Sequence, residues 1–68
     1  MNTMQIKCFL ALASTKNFTK AASQLYLSHP ALSRQIATLE REINTQLFFR
    51  EQKKVRLTPA GTLMARDL

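Results

Sequence analysis

The sequence predicts a mainly α fold: three helices around one small core, a short β-hairpin, and the start of a further helix. Three observations carry that expectation. Apolar residues recur at helical spacing through residues 4–14, 19–25 and 29–43. Residues that favour helix caps stand where helices should begin. After Asn44 the pattern changes to two short strand-like runs, Leu47-Phe48-Phe49 and Val55-Arg56-Leu57, around the polar segment Glu51-Gln52-Lys53-Lys54.

In the first helix, Ile6, Phe9, Leu10 and Ala13 have the 0, 3, 4, 7 spacing of a buried face. Met4, Cys8, Ala11 and Leu12 form a second apolar stripe, so the helix is expected to be sandwiched between two partners. The second partner is expected to be the C-terminal helix through Leu63, Met64 and Leu68, from this chain or from another copy. Lys16-Asn17 breaks the helix, and Thr19 is the expected N-cap of a short second one through Ala21, Ala22 and Leu25. A tight connection, Tyr26-Leu27-Ser28, follows. Ser28 can cap the third helix, and Pro30 suits its first turn, where a missing N–H costs no intrahelical bond. Leu32, Ile36, Leu39 and Ile43 make its core stripe. Thr58 and Pro59 then restart a helix toward Leu68.

A single core at this length is small, because ~60 residues bury only about 60% of their unfolded surface. The lone cysteine, Cys8, allows no internal disulfide and fits a reducing, cytoplasmic setting. The apolar run from Cys8 to Ala13 is far below the ~20 residues of a membrane span. Ten Lys and Arg against four Asp and Glu give +6, and residues 1–39 hold no acid. A second basic group, Arg50, Lys53, Lys54 and Arg56, is offset only by Glu51. Such a balance points to a polyanion, nucleic acid above all.

The third helix says where that partner would sit. Opposite its core stripe lie Pro30, Ser33, Arg34, Ala37 and Arg41: small residues between long cations, with no acid. Small side chains let a helix lie deep in a groove. Arg34 can contact guanine O6 and N7 bidentately, and Ser33 can bond a base or a phosphate. His29 and Pro30 stand at the N-terminal tip, the part of a recognition helix that meets bases. Its free N–H groups also suit a phosphate oxygen. Residues 19–25 and 29–43, joined by three residues, have the proportions of a helix-turn-helix, and the hairpin would be its wing.

The run FTKAASQLYLSHPALSRQIATLEREINTQLFFR, followed by VRLTPAG, resembles the N-terminal winged helix-turn-helix domain of LysR-type transcriptional regulators. The match is dense and covers nearly the whole chain. The resemblance implies a three-helix core with a β-hairpin wing over residues 1–58. Residues 59–68 would begin the linker helix through which two domains pair. It implies sequence-specific binding of double-stranded DNA by a cytoplasmic homodimer on an inverted repeat, with His29, Pro30, Ser33 and Arg34 meeting bases. Thr19, Ser28 and Arg50 match positions that touch or place the DNA backbone, and Lys53 lies in the wing, near the minor groove. Ala37, Arg41 and Lys54 join that backbone-facing set, while Met4, Cys8, Leu12, Leu63, Met64 and Leu68 are the expected dimer and linker packing.

The chain departs from the family pattern in three ways. His29 replaces the usual glutamine, Asn44 replaces the usual glycine, and the family's effector-binding domain, which would take any small-molecule ligand, is not in these residues. Asparagine also tolerates the left-handed cap conformation. One histidine, one cysteine and four acids give catalysis little to stand on. Cys8 has no second metal ligand at i+3 or i+4, so neither a metal nor another cofactor is expected. A membrane-surface peptide fails because the apolar stripes are needed for a core. A winged helix for protein docking, or for binding DNA without sequence preference, is the rival reading.

Overall fold

In the computed structural model, which describes residues 1–51 and 54–68, six elements follow one another. They are α1 (Thr3–Thr15), α2 (Phe18–Gln24), α3 (His29–Glu42), β1 (Phe48–Glu51), β2 (Lys54–Leu57) and α4 (Pro59–Asp67). The two strands form one antiparallel hairpin, with Phe48 opposite Leu57 and Arg50 opposite Val55.

α1 opens with a reciprocal cap. The Gln5 N–H donates to Asn2 Oδ1 at 2.8 Å, and the Asn2 N–H donates to Gln5 Oε1 at 2.9 Å. With its oxygen bonded, Gln5 can be buried, and the inward face is Gln5, Cys8, Phe9 and Leu12. This corrects the first expected stripe, while Cys8, Ala11 and Leu12 of the second do pack inside, with α1 lying against α2, α3 and α4 of its own chain. Leu10 is exposed, Ile6 and Ala13 are only partly covered, and Cys8 and Leu12 are wholly buried inside the single chain. Counting apolar residue types hid a 5, 8, 9, 12 face because one of its four members is polar. Neither Cys8 nor Leu12 is therefore available to a second copy.

α1 ends at Lys16, in the left-handed conformation at φ 52°. The N-cap of α2 is Asn17 rather than Thr19: Asn17 Oδ1 accepts from the Lys20 N–H at 3.0 Å. Thr15 braces this corner by accepting the Asn17 N–H at 3.2 Å. The small Ala21 and Ala22 are buried, which lets α2 approach both neighbours closely. Tyr26 takes φ 57° in the turn with its ring exposed. Ser28 then caps α3, accepting the Ala31 N–H at 3.2 Å.

Leu32, Ile36 and Leu39 of α3 are fully buried, and with Phe9, Leu12, Leu47 and Phe48 they form the centre of the core. The Phe9 and Phe48 rings meet at 5.5 Å, tilted by 52°. Ile43 does not complete the stripe. It is the C-cap and stays 37% exposed, because the chain turns away at Asn44 with φ 53°. The asparagine thus does take the left-handed conformation that a glycine would favour.

Alternation decides what the hairpin presents. Phe48 and Arg50 of β1 share a face with Val55 and Leu57 of β2, so the buried Phe48 and Val55 bring Arg50 toward α3. On the other face Arg56 pairs with Glu51, and its guanidinium carbon lies 5.4 Å from the Phe49 ring centroid.

The segment between α3 and β1 is held by side chains and by α4. Glu40 Oε2 accepts the N–H groups of Leu47 and Phe48 at 2.7 and 3.1 Å. The Leu47 carbonyl accepts the Thr58 N–H at 3.0 Å. Thr58 Oγ1 donates to the Gln46 carbonyl at 2.7 Å and accepts the Gly61 N–H at 3.0 Å, which makes Thr58 the N-cap of α4. Replacing Glu40 by alanine leaves two N–H groups short of a charged acceptor. That should destabilise the domain by about 1–3 kcal/mol. Urea unfolding checks this, and an unchanged midpoint would show that water replaces the carboxylate without loss.

α4 lays Ala60, Met64 and Ala65 on the core and keeps Leu63 (57%) and Leu68 (50%) exposed. Met64 therefore packs inward. Of the six residues expected at a linker or dimer seam, Met4, Leu63 and Leu68 are the ones that reach solvent.

Candidate nucleic-acid interface

The outer side of α3 is open. His29, Pro30, Arg34 and Arg41 are exposed, while Ser33 and Ala37 are half-buried. Arg41 folds along its own helix, with Nη2 donating to Thr38 Oγ1 at 3.3 Å. Arg34 stands apart from the wing and borders a hollow of about 410 Å³ shared with Asn2, Gln35 and Glu42.

The N-terminal tip of α3 meets the N-terminus of α2 and the wing. The rings of Phe18 and His29 stack at 4.9 Å, only 6° from parallel. Arg50 places its guanidinium carbon 5.0 Å from the Phe18 centroid and donates from Nη1 to Ser33 Oγ at 3.0 Å. Phe18, His29 and Arg50 border a cleft of about 430 Å³ that Thr19 and Lys54 also line. Thr19, His29, Ser33, Arg50 and Lys54 are thus brought together, whereas Arg34 and Arg41 lie farther along the helix. Ser28 is engaged as a cap. Lys53 falls outside the described residues.

Charge is distributed to the same effect. Glu51 is held by Arg56, Glu42 lies 3.5 Å from the Met1 amino group, and Glu40 is bound by backbone N–H groups. Among the described residues, no carboxylate is within ion-pairing distance of Arg34, Arg41, Arg50 or Lys54. Their charge is left for an outside partner. The Cys8 thiol is pushed up by its burial, which keeps it protonated and a poor nucleophile. Among the described residues, no three His, Cys, Asp or Glu gather where they could hold a metal ion.

Residues 3–62 match the family described as bacterial regulatory helix-turn-helix protein, lysR family. The chain belongs to that family. This LysR-family domain is 48% identical over 62 residues to a probable RuBisCO transcriptional regulator of Porphyra purpurea, covering 91% of this chain and 20% of that protein. Against a probable cat1 operon transcriptional activator of Acinetobacter lwoffii it is 46% identical over 63 residues, covering 93% of this chain and 21% of that one. The chain therefore spans about one fifth of the length of each of these two relatives.

Solved structures agree. The complex of the CbnR DNA-binding domain with DNA superposes with a TM-score of 0.94 at 34% identity, over 98% of this chain and 77% of that one. The BenM DNA-binding domain on catB site 1 DNA gives 0.93 at 37% identity, over 98% and 75%. The winged helix-turn-helix expected from the sequence is the fold of this LysR-family domain.

Two participants escaped the sequence reading. Phe18 was given no role, although an aromatic at a helix start beside a basic tip is a signal for stacking. Glu40 is the other. It is an acid in the last turn of α3, placed to receive the N–H groups of the returning chain.

Proposed function

We propose that this LysR-family domain binds double-stranded DNA sequence-specifically, with α3 in the major groove and the wing beside it. The observation that carries this reading is the open side of α3. It presents Pro30, Ser33, Arg34, Ala37 and Arg41 without an acid, while Leu32, Ile36 and Leu39 hold the helix from behind. Arg34 has the donors for guanine, and His29, Pro30 and Ser33 stand nearer the helix tip. Thr19, Ser28, Arg50 and Lys54 flank that tip and serve the phosphate backbone, and Lys53, next to Lys54 in the sequence, joins them in that role. The solved DNA complexes of the CbnR and BenM domains support this reading.

Two copies pair through α4, by way of the exposed Leu63 and Leu68 with Met4, and read an inverted repeat. The setting is the cytoplasm, and the role is gene regulation without catalysis. A parent chain of the relatives' length takes its small-molecule effector outside these residues.

Selection of bound sequences from a random DNA pool tests the reading. Enrichment of a two-fold symmetric site, with half-sites about one helical turn or a multiple apart, is the expected result. A single enriched half-site would keep the reader and remove the dimer. No enrichment, with binding still sensitive to salt, would replace sequence reading by phosphate binding alone. Lys54→Ala separates the two kinds of contact. It should weaken binding to every sequence alike and lower the salt slope by about one unit. An unaltered slope in a salt titration would take Lys54 out of the phosphate contacts.

A further inference from the structure

The stacked pair at the tip of α3 brings three elements to one ring. Phe18 is the first residue of α2, His29 the first of α3, and Arg50 lies in β1. Phe18 is packed against the core, His29 is exposed, and the two rings lie 4.9 Å apart and nearly parallel. An exposed histidine at a helix terminus would otherwise sample several rotamers. Fixing one on binding costs about 2- to 12-fold in affinity. A face-on neighbour anchored in the core removes most of that cost beforehand. It also covers one face and fixes the imidazole plane, which sets the direction in which the ring edge can approach a base. Arg50 closes the arrangement, since it sits by the Phe18 ring and bonds Ser33 one turn along α3.

Resting on the DNA-binding reading above, we propose that Phe18 is the positioning residue of the recognition tip. It holds His29 so that the imidazole edge donates one hydrogen bond to a purine N7. The chemistry of the edge fits that acceptor. A neutral imidazole carries a single N–H, so it cannot make the paired contacts by which arginine reads guanine or an amide reads adenine. N7 is the major-groove acceptor that adenine and guanine share. His29 therefore favours purine over pyrimidine at one position without separating the two purines. Phe18 itself touches no base. Its effect runs through His29 and, by way of Arg50, through Ser33.

The test compares binding to the enriched site with all four bases placed in turn at each position, for wild type, His29→Gln, Phe18→Leu and Phe18→Tyr. Wild type should favour purines at one position by about 3- to 10-fold. His29→Gln should narrow that position to adenine, because a carboxamide pairs with N6 and N7 together. Phe18→Leu, which keeps apolar bulk but loses the ring face, should flatten that position and leave the one read by Arg34 intact. Phe18→Tyr should restore the purine preference. A Phe18→Leu profile that is unchanged, or lowered evenly at every position, would reduce Phe18 to packing and overturn the proposal. Base preferences that ignore His29→Gln would overturn it too, with DNA reading left standing. A wild type with no preference anywhere would overturn both. A measurement on the free wild-type protein does not depend on any variant folding: the His29 ring protons should resonate upfield of their free-histidine positions, shielded by Phe18. Unshifted resonances would mean that no stack exists to position the imidazole.

Discussion

Gly61→Ala is expected to lower the melting temperature by about 8–16 °C, corresponding to a loss of about 2 kcal/mol in a domain of this size. The glycine lies in the first turn of α4, buried against the segment that links α3 to the wing. A Cβ built there overlaps the carbonyl oxygen of Leu47 and comes within 3.0 Å of Leu57 Cδ2. The leucine side chain can rotate away, but the carbonyl cannot, because it already accepts the Thr58 N–H at 3.0 Å. Relief requires moving α4 or the 46–48 backbone, and overpacking of this kind costs about 1–3 kcal/mol, occasionally more. Alanine's better helix propensity returns at most about 1 kcal/mol. A thermal melt decides the matter: an equal or higher midpoint would mean that the helix lifts off the loop at no cost.

Arg34→Ala should cost about 1–3 kcal/mol on the cognate site, roughly 5- to 150-fold in affinity. It should also relax preference at one base pair, with little change in binding to unrelated DNA. The side chain is exposed and has no carboxylate partner among the described residues, so its removal leaves the fold alone. Equal affinities of mutant and wild type on cognate DNA would withdraw the role given to Arg34. Equal losses on cognate and unrelated DNA would make it a phosphate contact instead.

The order and kind of the elements were legible because caps and apolar spacing agreed with each other. Ser28, Thr58 and Pro59 mark helix starts by short-range chemistry, and Leu32, Ile36 and Leu39 mark a face that nothing nearby contradicts. The errors have one physical source, which is that a residue's surroundings can change the meaning of its type. Gln5 goes inside because Asn2 bonds its oxygen, and that turns α1 about its axis relative to the apolar pattern. Asn17 displaces Thr19 as a cap because Thr15 braces it from the preceding helix. The candidate contact residues were legible as a set, from the acid-free face of α3 and the basic wing. Their grouping was not. Only strand alternation and the pairing of Arg50 with Val55 show that the wing arginine reaches Ser33 and Phe18, while Arg34 stands alone.

Arg34 and Arg41 on the outward side of α3 hold up none of the architecture. The helix is fastened from behind by Leu32, Ile36 and Leu39, and on its wing side Glu40 receives the backbone of the returning chain. Arg34 has no part in this, and among the described residues Arg41 reaches only Thr38 of its own helix. Under the proposed reading, selection for a new operator can therefore act on position 34, and selection for phosphate affinity on position 41, without trading away foldedness, and duplicated copies of such a gene can drift in target while their scaffold stays put. A library randomised at those two positions should consist mostly of folded proteins, differing in how they bind DNA and hardly at all in how they melt.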